Sequence, residues 1–146
     1  MKTIVAAVDF SDSTPDVIDA AVSMAGAFGA MLHVIHVLEP EPAYTAYGFT
    51  PDEFPAMHLF QDEARKRATK RLESLAAPLT DVTVKLIEGS PLMAVLDYVK
   101  ASKADLVILG THGHGMVASL LLGSVAEGMV RKAVVPTMVI PVKEKE

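Results

Sequence analysis

The chain has 146 residues, a formal net charge of −5, 51% hydrophobic residues and no cysteine. The missing cysteines exclude a disulfide framework and thiol catalysis, and the acidic balance without a basic cluster argues against nucleic acid as the main partner. We expect one domain over residues 1–146. Because no apolar run is long enough for membrane insertion and no signal-peptide pattern opens the sequence, we expect a cytoplasmic location.

The first strand and helix are predicted from the opening residues. Residues 2–9 form a nearly continuous apolar run, typical of a strand buried on both faces of a parallel sheet. The run ends at Asp9, and Ser13 or Thr14 then suits a helix N-cap. Apolar residues recur at helical spacing before Gly29, which is typical of a helix C-terminus.

A second strand, a long loop and a long helix follow. Residues 31–38 predict another buried strand, whereas residues 39–55 carry four prolines and four aromatic residues without strong periodicity. Such a loop is either a binding segment or a poorly ordered surface excursion. Residues 56–77 have one apolar stripe, and we interpret their charged residues as a solvated face because both signs are interleaved. The alternating residues 82–87 predict a strand near a sheet edge.

The last third of the sequence repeats the alternation. A helix is predicted from Pro91 onward, residues 105–109 predict a buried strand, and Ser124 with Glu127 has capping-box spacing for a short helix. Residues 136–142 predict the final strand. Strand and helix alternate four times before this strand, which predicts an α/β domain with an open five-stranded, largely parallel sheet and helices on both faces.

A glycine-rich loop follows the fourth predicted strand directly. Gly110-Thr111-His112-Gly113-His114-Gly115 leads towards Gly123-Ser124, where the next helix begins. Bare backbone N–H groups beside a helix N-terminus are suited to cradling a phosphate. The spacing is not the dinucleotide fingerprint, which belongs after the first strand of its fold. It is not a P-loop either, because no lysine follows the last glycine. The loop therefore predicts a phosphate site of another type.

An acidic residue is expected to face this loop. In open parallel sheets, ligands bind beyond the carboxyl ends of the strands, where the strand order reverses. If the first and fourth strands are neighbours there, Asp9 and Gly110 share one crevice. Asp9 would repel phosphates unless a divalent cation lay between them, so the pairing indicates nucleotide-bound Mg²⁺ with Asp9 as its protein ligand. Alternatively, Asp9 only caps the turn after its strand.

The loop spacing resembles the motif of a known family. Gly110-x-x-Gly113, nine residues and Gly123-Ser124 are similar to the G-2x-G-9x-G-[ST] motif of the ATP-binding branch of the universal stress protein (UspA-like) family. The resemblance extends along the whole chain, through residues 8–11, 36–37, 89–91, 104–107, 121–127 and 136–140.

This resemblance implies a fold, a ligand and a dimer. It implies the strand order 3-2-1-4-5 of an adenine nucleotide alpha hydrolase-like fold, with ATP or AMP as the ligand. Adenine would lie near Val37 and the end of the first strand. A homodimer would form through the last strand, Pro136 to Val142, which is otherwise an exposed apolar edge. The nucleotide-binding residues so implied are Val8, Asp9, Val37, Gly110, Thr111, His112, Gly113, His114, Gly115, Gly123, Ser124 and Val125.

The histidines mark where this chain departs from the family pattern. His114 stands where many family members carry arginine, and a neutral imidazole attracts phosphate less than a guanidinium. We therefore expect weaker triphosphate binding, with affinity rising as pH falls through about 6.5. His112 and His114 lack a third ligand at metal spacing, so we expect no metal pair. His33 and His36 lie three positions apart on one strand, so we expect structural histidines on opposite faces.

Three functions remain compatible with the sequence. They are a stress-response regulator that binds ATP or AMP, a slow Mg²⁺-dependent ATPase, and a nucleotide-free interaction module that regulates a transporter or another protein partner. The glycine spacing favours nucleotide binding over the third. No Arg or Lys lies between Lys103 and Arg131, although phosphoryl transfer usually needs such a clamp. We therefore assign no catalytic residue and expect at most weak ATP hydrolysis.

Overall fold

The computed structural model describes residues 1–39, 54–111 and 122–141, without the side chains of residues 54–58. Strands and helices alternate along it, as the sequence predicts. In chain order the elements are β1 (Thr3–Ala7), α1 (Thr14–Phe28), β2 (Met31–Leu38), α2 (Phe54–Ala76), β3 (Val82–Glu88), α3 (Pro91–Ala101), β4 (Leu106–Gly110), α4 (Ser124–Lys132) and β5 (Thr137–Ile140).

The five strands form one parallel sheet in the order β3-β2-β1-β4-β5. The central strand β1 pairs with β2 on one side and β4 on the other, so that Val5 lies between His33 and Val107. The strand order predicted from the family resemblance is therefore confirmed. The order reverses between β1 and β4, which brings the carboxyl ends of these two strands side by side.

Each face of the sheet is buried against two helices. Successive residues of a strand point to opposite faces, so Ile4 and Ala6 pack with α1 and α2, whereas Val5 packs with α3 and α4. This double burial is why β1, β2 and β4 read as continuous apolar runs. Among the described helices, none has both the length and the apolar character to cross a membrane.

The observed boundaries lie close to the predicted ones. Strand β2 has the predicted bounds, and β3 is an edge strand in which half-buried and exposed residues alternate, as expected. Helix α2 begins two residues earlier than predicted, at Phe54. Residues 40–53 of the proline-rich loop lie outside the described residues, as does Val142 at the end of the predicted last strand.

The predicted N-cap residue is confirmed for α1 and wrong for α4, and neither helix has a side-chain cap. Ser13 is the N-cap of α1, but its side chain makes no bond to the helix. At α4 the N-cap is Gly123, with an extended backbone, and Ser124 is already helical. The capping box therefore does not form, and Glu127 instead makes a 2.9 Å ion pair with Arg131 one turn later. Glycine at the N-cap costs only a few tenths of a kcal/mol relative to serine, roughly, so the sequence preference is easily overridden.

Candidate functional site

A cavity of about 420 Å³ opens at the carboxyl ends of β1, β2 and β4. This volume is within the range of roughly 300–1,000 Å³ that is typical of small-molecule sites. The cavity lies where the strand order reverses, as expected for ligand sites in open parallel sheets. The residues that line it are Ala7, Val8, Asp9, Ser13, Thr14, Val17, His36, Val37, Glu39, Pro91, Val95, Leu109, Gly110, Thr111, Gly123, Ser124, Val125 and Ala126.

The structure brings eight of the twelve predicted nucleotide-binding residues to this one cavity. They come from three separate stretches of the chain: Val8 and Asp9 after β1, Val37 in β2, and the two ends of the glycine motif, Gly110, Thr111, Gly123, Ser124 and Val125. The other four, His112, Gly113, His114 and Gly115, lie outside the described residues.

Backbone hydrogen bonds hold the two ends of the glycine motif together. The Thr111 N–H donates to the Ile140 carbonyl at 3.0 Å, which fixes the exit of β4 against β5. The Gly123 N–H donates to the Thr111 carbonyl at 2.6 Å, and the Glu127 N–H donates to the Gly123 carbonyl at 2.8 Å. The start of α4 is thus anchored beside the end of β4, and its N-terminus carries partial positive charge at the cavity.

Gly110 is required by a close approach between β4 and the start of α1. A Cβ atom added at Gly110 would lie 2.6 Å from the Ser13 Oγ and 3.4 Å from the Ser13 Cβ. The Ser13 side chain is buried, and its hydroxyl lies 2.8 Å from the hydroxyl of Ser11. A side chain at position 110 would therefore displace the Ser13 hydroxyl from its contact with Ser11 and change the floor of the cavity.

Asp9 caps a turn and also lines the cavity. Its Oδ1 accepts a hydrogen bond of 3.0 Å from the Ser11 N–H, as in an Asx turn. The sequence left open whether Asp9 caps this turn or contacts a ligand. A carboxylate has two oxygens and about four acceptor positions, so the two roles are compatible.

His36 lines the cavity, although it is not among the predicted nucleotide-binding residues. It was expected to be a structural histidine, and its Nδ1 does donate to the Val8 carbonyl at 2.7 Å. Burial lowers the pKa of His36, against a raising effect of the Val8 carbonyl and the Asp9 carboxylate and a further lowering by Arg71. The neutral ring with its proton on Nδ1 therefore leaves Nε2 as an acceptor at the cavity edge.

His33 lies on the opposite face of β2, as predicted. Its Nδ1 is 2.7 Å from the Tyr98 hydroxyl on α3, and the two rings meet edge to face. Burial lowers the pKa of His33 as well. This pair has a packing role on the α3 face.

The charge around the cavity is unusual for a phosphate site. Its described lining contains two carboxylates, Asp9 and Glu39, and no lysine or arginine. Nor do the described residues contain a cluster of three or more histidine, cysteine or acidic side chains that would hold a metal ion alone. The donor set fits Mg²⁺ that arrives with phosphates, since such ions take only one or two carboxylates from the protein.

Most of the missed lining residues carry no signal in the sequence. Pro91 and Val95 belong to the start of α3, which reads as an ordinary amphipathic helix. Thr14 and Val17 belong to the first turn of α1. They reach the cavity only because helices on both faces begin at the same edge of the sheet, which is a consequence of topology.

Comparisons with known proteins find relatives that match this chain over most of its length. A universal stress protein of Thermus aquaticus is 34% identical over 145 residues, spanning 95% of this chain and 98% of that protein. Among solved structures, the universal stress protein UspA of Lactobacillus plantarum superposes with a TM-score of 0.76 at 25% identity, over 95% of this chain and 97% of its own. A universal stress protein solved in complex with cAMP gives a TM-score of 0.61 at 29% identity, over 95% of both chains.

These neighbours have the adenine nucleotide alpha hydrolase-like architecture, which is also the fold of this chain. The profile of the universal stress protein family matches residues 1–141, which include every strand and helix described above. The chain therefore belongs to the universal stress protein family.

Proposed function

We propose that this protein binds an adenine nucleotide, AMP or ATP, and acts as a homodimeric cytoplasmic regulator in a stress response. One observation carries the proposal: Asp9, Val37 and both ends of the G-2x-G-9x-G-S motif meet at one cavity. These residues are far apart in sequence, so their convergence is not a consequence of a single local pattern.

The chemistry of the walls suits a nucleotide. Val37, Val95, Leu109 and Val125 offer apolar contact for a planar base, while Asp9 and His36 offer acceptors for its amino group. Ribose and phosphates lie towards Gly110 and the start of α4, where backbone N–H groups attract anions. A universal stress protein of 29% identity was solved with cAMP, which supports an adenine ring as the recognised part.

Mg²⁺ would enter with the phosphates of ATP and be held from the protein side by Asp9. It would neutralise the repulsion between the carboxylate and the phosphates. AMP carries fewer negative charges and needs this neutralisation less. We therefore expect Mg²⁺ to strengthen ATP binding more than AMP binding.

Binding is favoured over catalysis because the described lining has no basic side chain. Phosphoryl transfer depends on positive groups that neutralise charge developing on the transferred phosphoryl group. A site with two carboxylates, and with donors that are only backbone N–H and neutral hydroxyl groups, can hold a nucleotide but stabilises such a transition state poorly. The nucleotide is therefore proposed as a signal or a cofactor.

The test is the nucleotide content of freshly purified protein, measured by denaturation and chromatography, followed by equilibrium binding of added AMP and ATP. Asp9→Asn should weaken ATP binding with Mg²⁺ by roughly tenfold, the usual loss of one charge-assisted contact. Asp12→Asn is the matched control, since Asp12 is exposed and does not line the cavity. Protein that contains no nucleotide and binds neither AMP nor ATP would refute the proposal. Steady phosphate release abolished by Asp9→Asn would replace it with an ATPase.

A further inference from the structure

A second depression, of about 630 Å³, lies between the start of α1 and the C-terminal half of α2. We call it the basic groove. It is lined by Phe10, Ser11, Thr14, Pro15, Arg67, Lys70, Arg71, Ser74 and Leu75. It opens to the outer side of the two helices, and Thr14 is the one residue that it shares with the nucleotide cavity.

The polar lining of the basic groove consists of groups that donate hydrogen bonds. Arg67, Lys70 and Arg71 are exposed on one face of α2, at spacings of three and four residues that bring their side chains together. Serine and threonine hydroxyls complete the polar lining, and no carboxylate belongs to it. In a chain with net charge −5, this is a concentrated positive patch.

The acidic partners expected for these cations pair elsewhere. Asp62 and Glu88 both bind Arg65, with contacts of 2.6 Å, and Glu63 lies 3.8 Å from Lys66. Arg67, Lys70 and Arg71 are themselves exposed, which agrees with the interpretation of α2 as carrying a solvated face. Among the described residues, Arg67, Lys70 and Arg71 have no ion pair with a carboxylate.

The stack beneath the groove holds Arg71 in position. Its guanidinium carbon lies 4.3 Å from the centroid of the Phe10 ring, and its Nη2 is 3.5 Å from the Phe10 carbonyl. The Phe10 ring also lies against the ring of His36, with ring centroids 4.2 Å apart. A cation–π contact fixes the plane of a guanidinium and leaves its edge available for an anion.

We propose that the basic groove is a binding site for the phosphate group of a small phosphorylated ligand, separate from the nucleotide cavity. Phosphate fits best because it accepts several hydrogen bonds at once and carries up to two negative charges, which matches a fork of guanidinium donors beside a lysine. This inference does not depend on the proposed function of the cavity.

The probe is inorganic pyrophosphate, and its binding to the whole chain is monitored by ¹⁵N-resolved NMR. Shifts are expected at residues 10–15 and 67–75 and at the arginine Nε–H groups of Arg67 and Arg71. The double variant Arg67→Gln/Lys70→Gln should weaken this binding by at least about tenfold, since it removes two charge-assisted contacts. It leaves the Arg71–Phe10 stack intact, so the fold is preserved.

Lys85→Gln/Lys100→Gln is the matched control, because it removes two exposed positive charges, on β3 and α3, that lie outside the groove. Affinity in this control should change by less than about twofold, because exposed charges at a distance are screened. If pyrophosphate affinity fell equally in both double variants, binding would depend on overall charge and not on the groove, and the proposal would be overturned. Shifts confined to the nucleotide cavity, or no shifts at millimolar pyrophosphate, would also overturn it. Tighter binding of a phosphate-free oligoglutamate peptide than of pyrophosphate would assign the groove to an acidic protein partner instead.

Discussion

At the scale of single residues, Gly110 is the most tightly constrained position of the site. Gly110→Ala should destabilise the fold by about 1–3 kcal/mol, the usual cost of overpacking, because the new Cβ would lie 2.6 Å from the Ser13 Oγ. Ser13→Ala in the same chain removes that oxygen and should restore part of the loss. Urea unfolding measures both.

Gly26→Ala is the control for this prediction. Gly26 lies within α1 with open space where a Cβ would be, so alanine should raise stability by about 0.5–1 kcal/mol. If Gly110→Ala were as well tolerated as Gly26→Ala, the close approach would have no energetic meaning.

His36 makes the stability of the fold depend on pH. Its pKa is lowered in the folded protein, chiefly by burial, so the unfolded chain binds more protons below about pH 6.5, the ordinary histidine range. The stabilisation from neutral His36 is therefore complete above that pH and is lost as pH falls towards the folded-state pKa.

The variant His36→Asn tests this dependence, because asparagine keeps a donor for the Val8 carbonyl but does not titrate. The free energy of unfolding, measured from pH 7.5 to 5.5, should fall less steeply in the variant than in the wild type. His33 retains its own contribution in both proteins, since burial lowers its pKa too. If the free energy of unfolding fell equally with pH in the wild type and in His36→Asn, His36 would not contribute to the pH dependence.

At the scale of elements, α1 and α3 end in the same way with different residues. After α1, Gly29 has φ 61° and the Ala30 N–H donates to the Ala25 carbonyl. After α3, Lys103 has φ 54° and the Ala104 N–H donates to the Val99 carbonyl. Both are left-handed C-terminal turns, a conformation that glycine adopts without the strain of a Cβ.

Exchanging these residues gives a reciprocal prediction. Lys103→Gly should raise the free energy of unfolding by about 1 kcal/mol, and Gly29→Lys should lower it by about the same amount. Thermal or urea unfolding of the two single variants is sufficient. A loss of stability in Lys103→Gly would mean that the lysine side chain stabilises the turn by more than its backbone strain costs.

The sequence predicts the elements better than their surroundings. Each strand and helix follows from local periodicity, which needs no knowledge of neighbours. The positive φ of Phe10 and its stack between His36 and Arg71 join three distant segments, so no local pattern announces them. The ion pair between Arg65 on α2 and Glu88 on β3 could not be predicted for the same reason, because the two residues are far apart in sequence.

At the scale of the whole molecule, topology assembles the candidate site. The predicted strand order was sufficient to bring Asp9 beside Gly110, because the ends of neighbouring parallel strands share one edge. The sequence could not predict that the N-cap of α4 is Gly123 and not Ser124, since both residue types suit that position.

β5 is an edge strand of the sheet that the described residues form, and this position supports the proposed homodimer. The carbonyls of Pro136 and Ile140 accept hydrogen bonds from β4, so the N–H groups of Thr137 and Val139 face the other way, towards the open edge. An apolar edge strand of this kind is a template for pairing with a second copy.

Val139→Pro removes one of these outward donors without removing a bond to β4. The wild type should sediment as a dimer of the 15.5 kDa chain, and the variant should dissociate at least about tenfold more readily, since proline also blocks close approach at the edge. Val130→Thr is the control, because Val130 lies exposed on α4 and the substitution leaves α4 and β5 intact. A variant that stays as dimeric as the wild type would assign the interface to another surface.

The most direct test of the central claim is a residue-resolved NMR titration of the protein with AMP. We predict shifts concentrated at Val8–Asp9, Val37, Gly110–Thr111 and Gly123–Val125, the residues that meet at the cavity between β1 and β4. Shifts that appear instead around the basic groove, or the absence of any shift at millimolar AMP, would contradict the account.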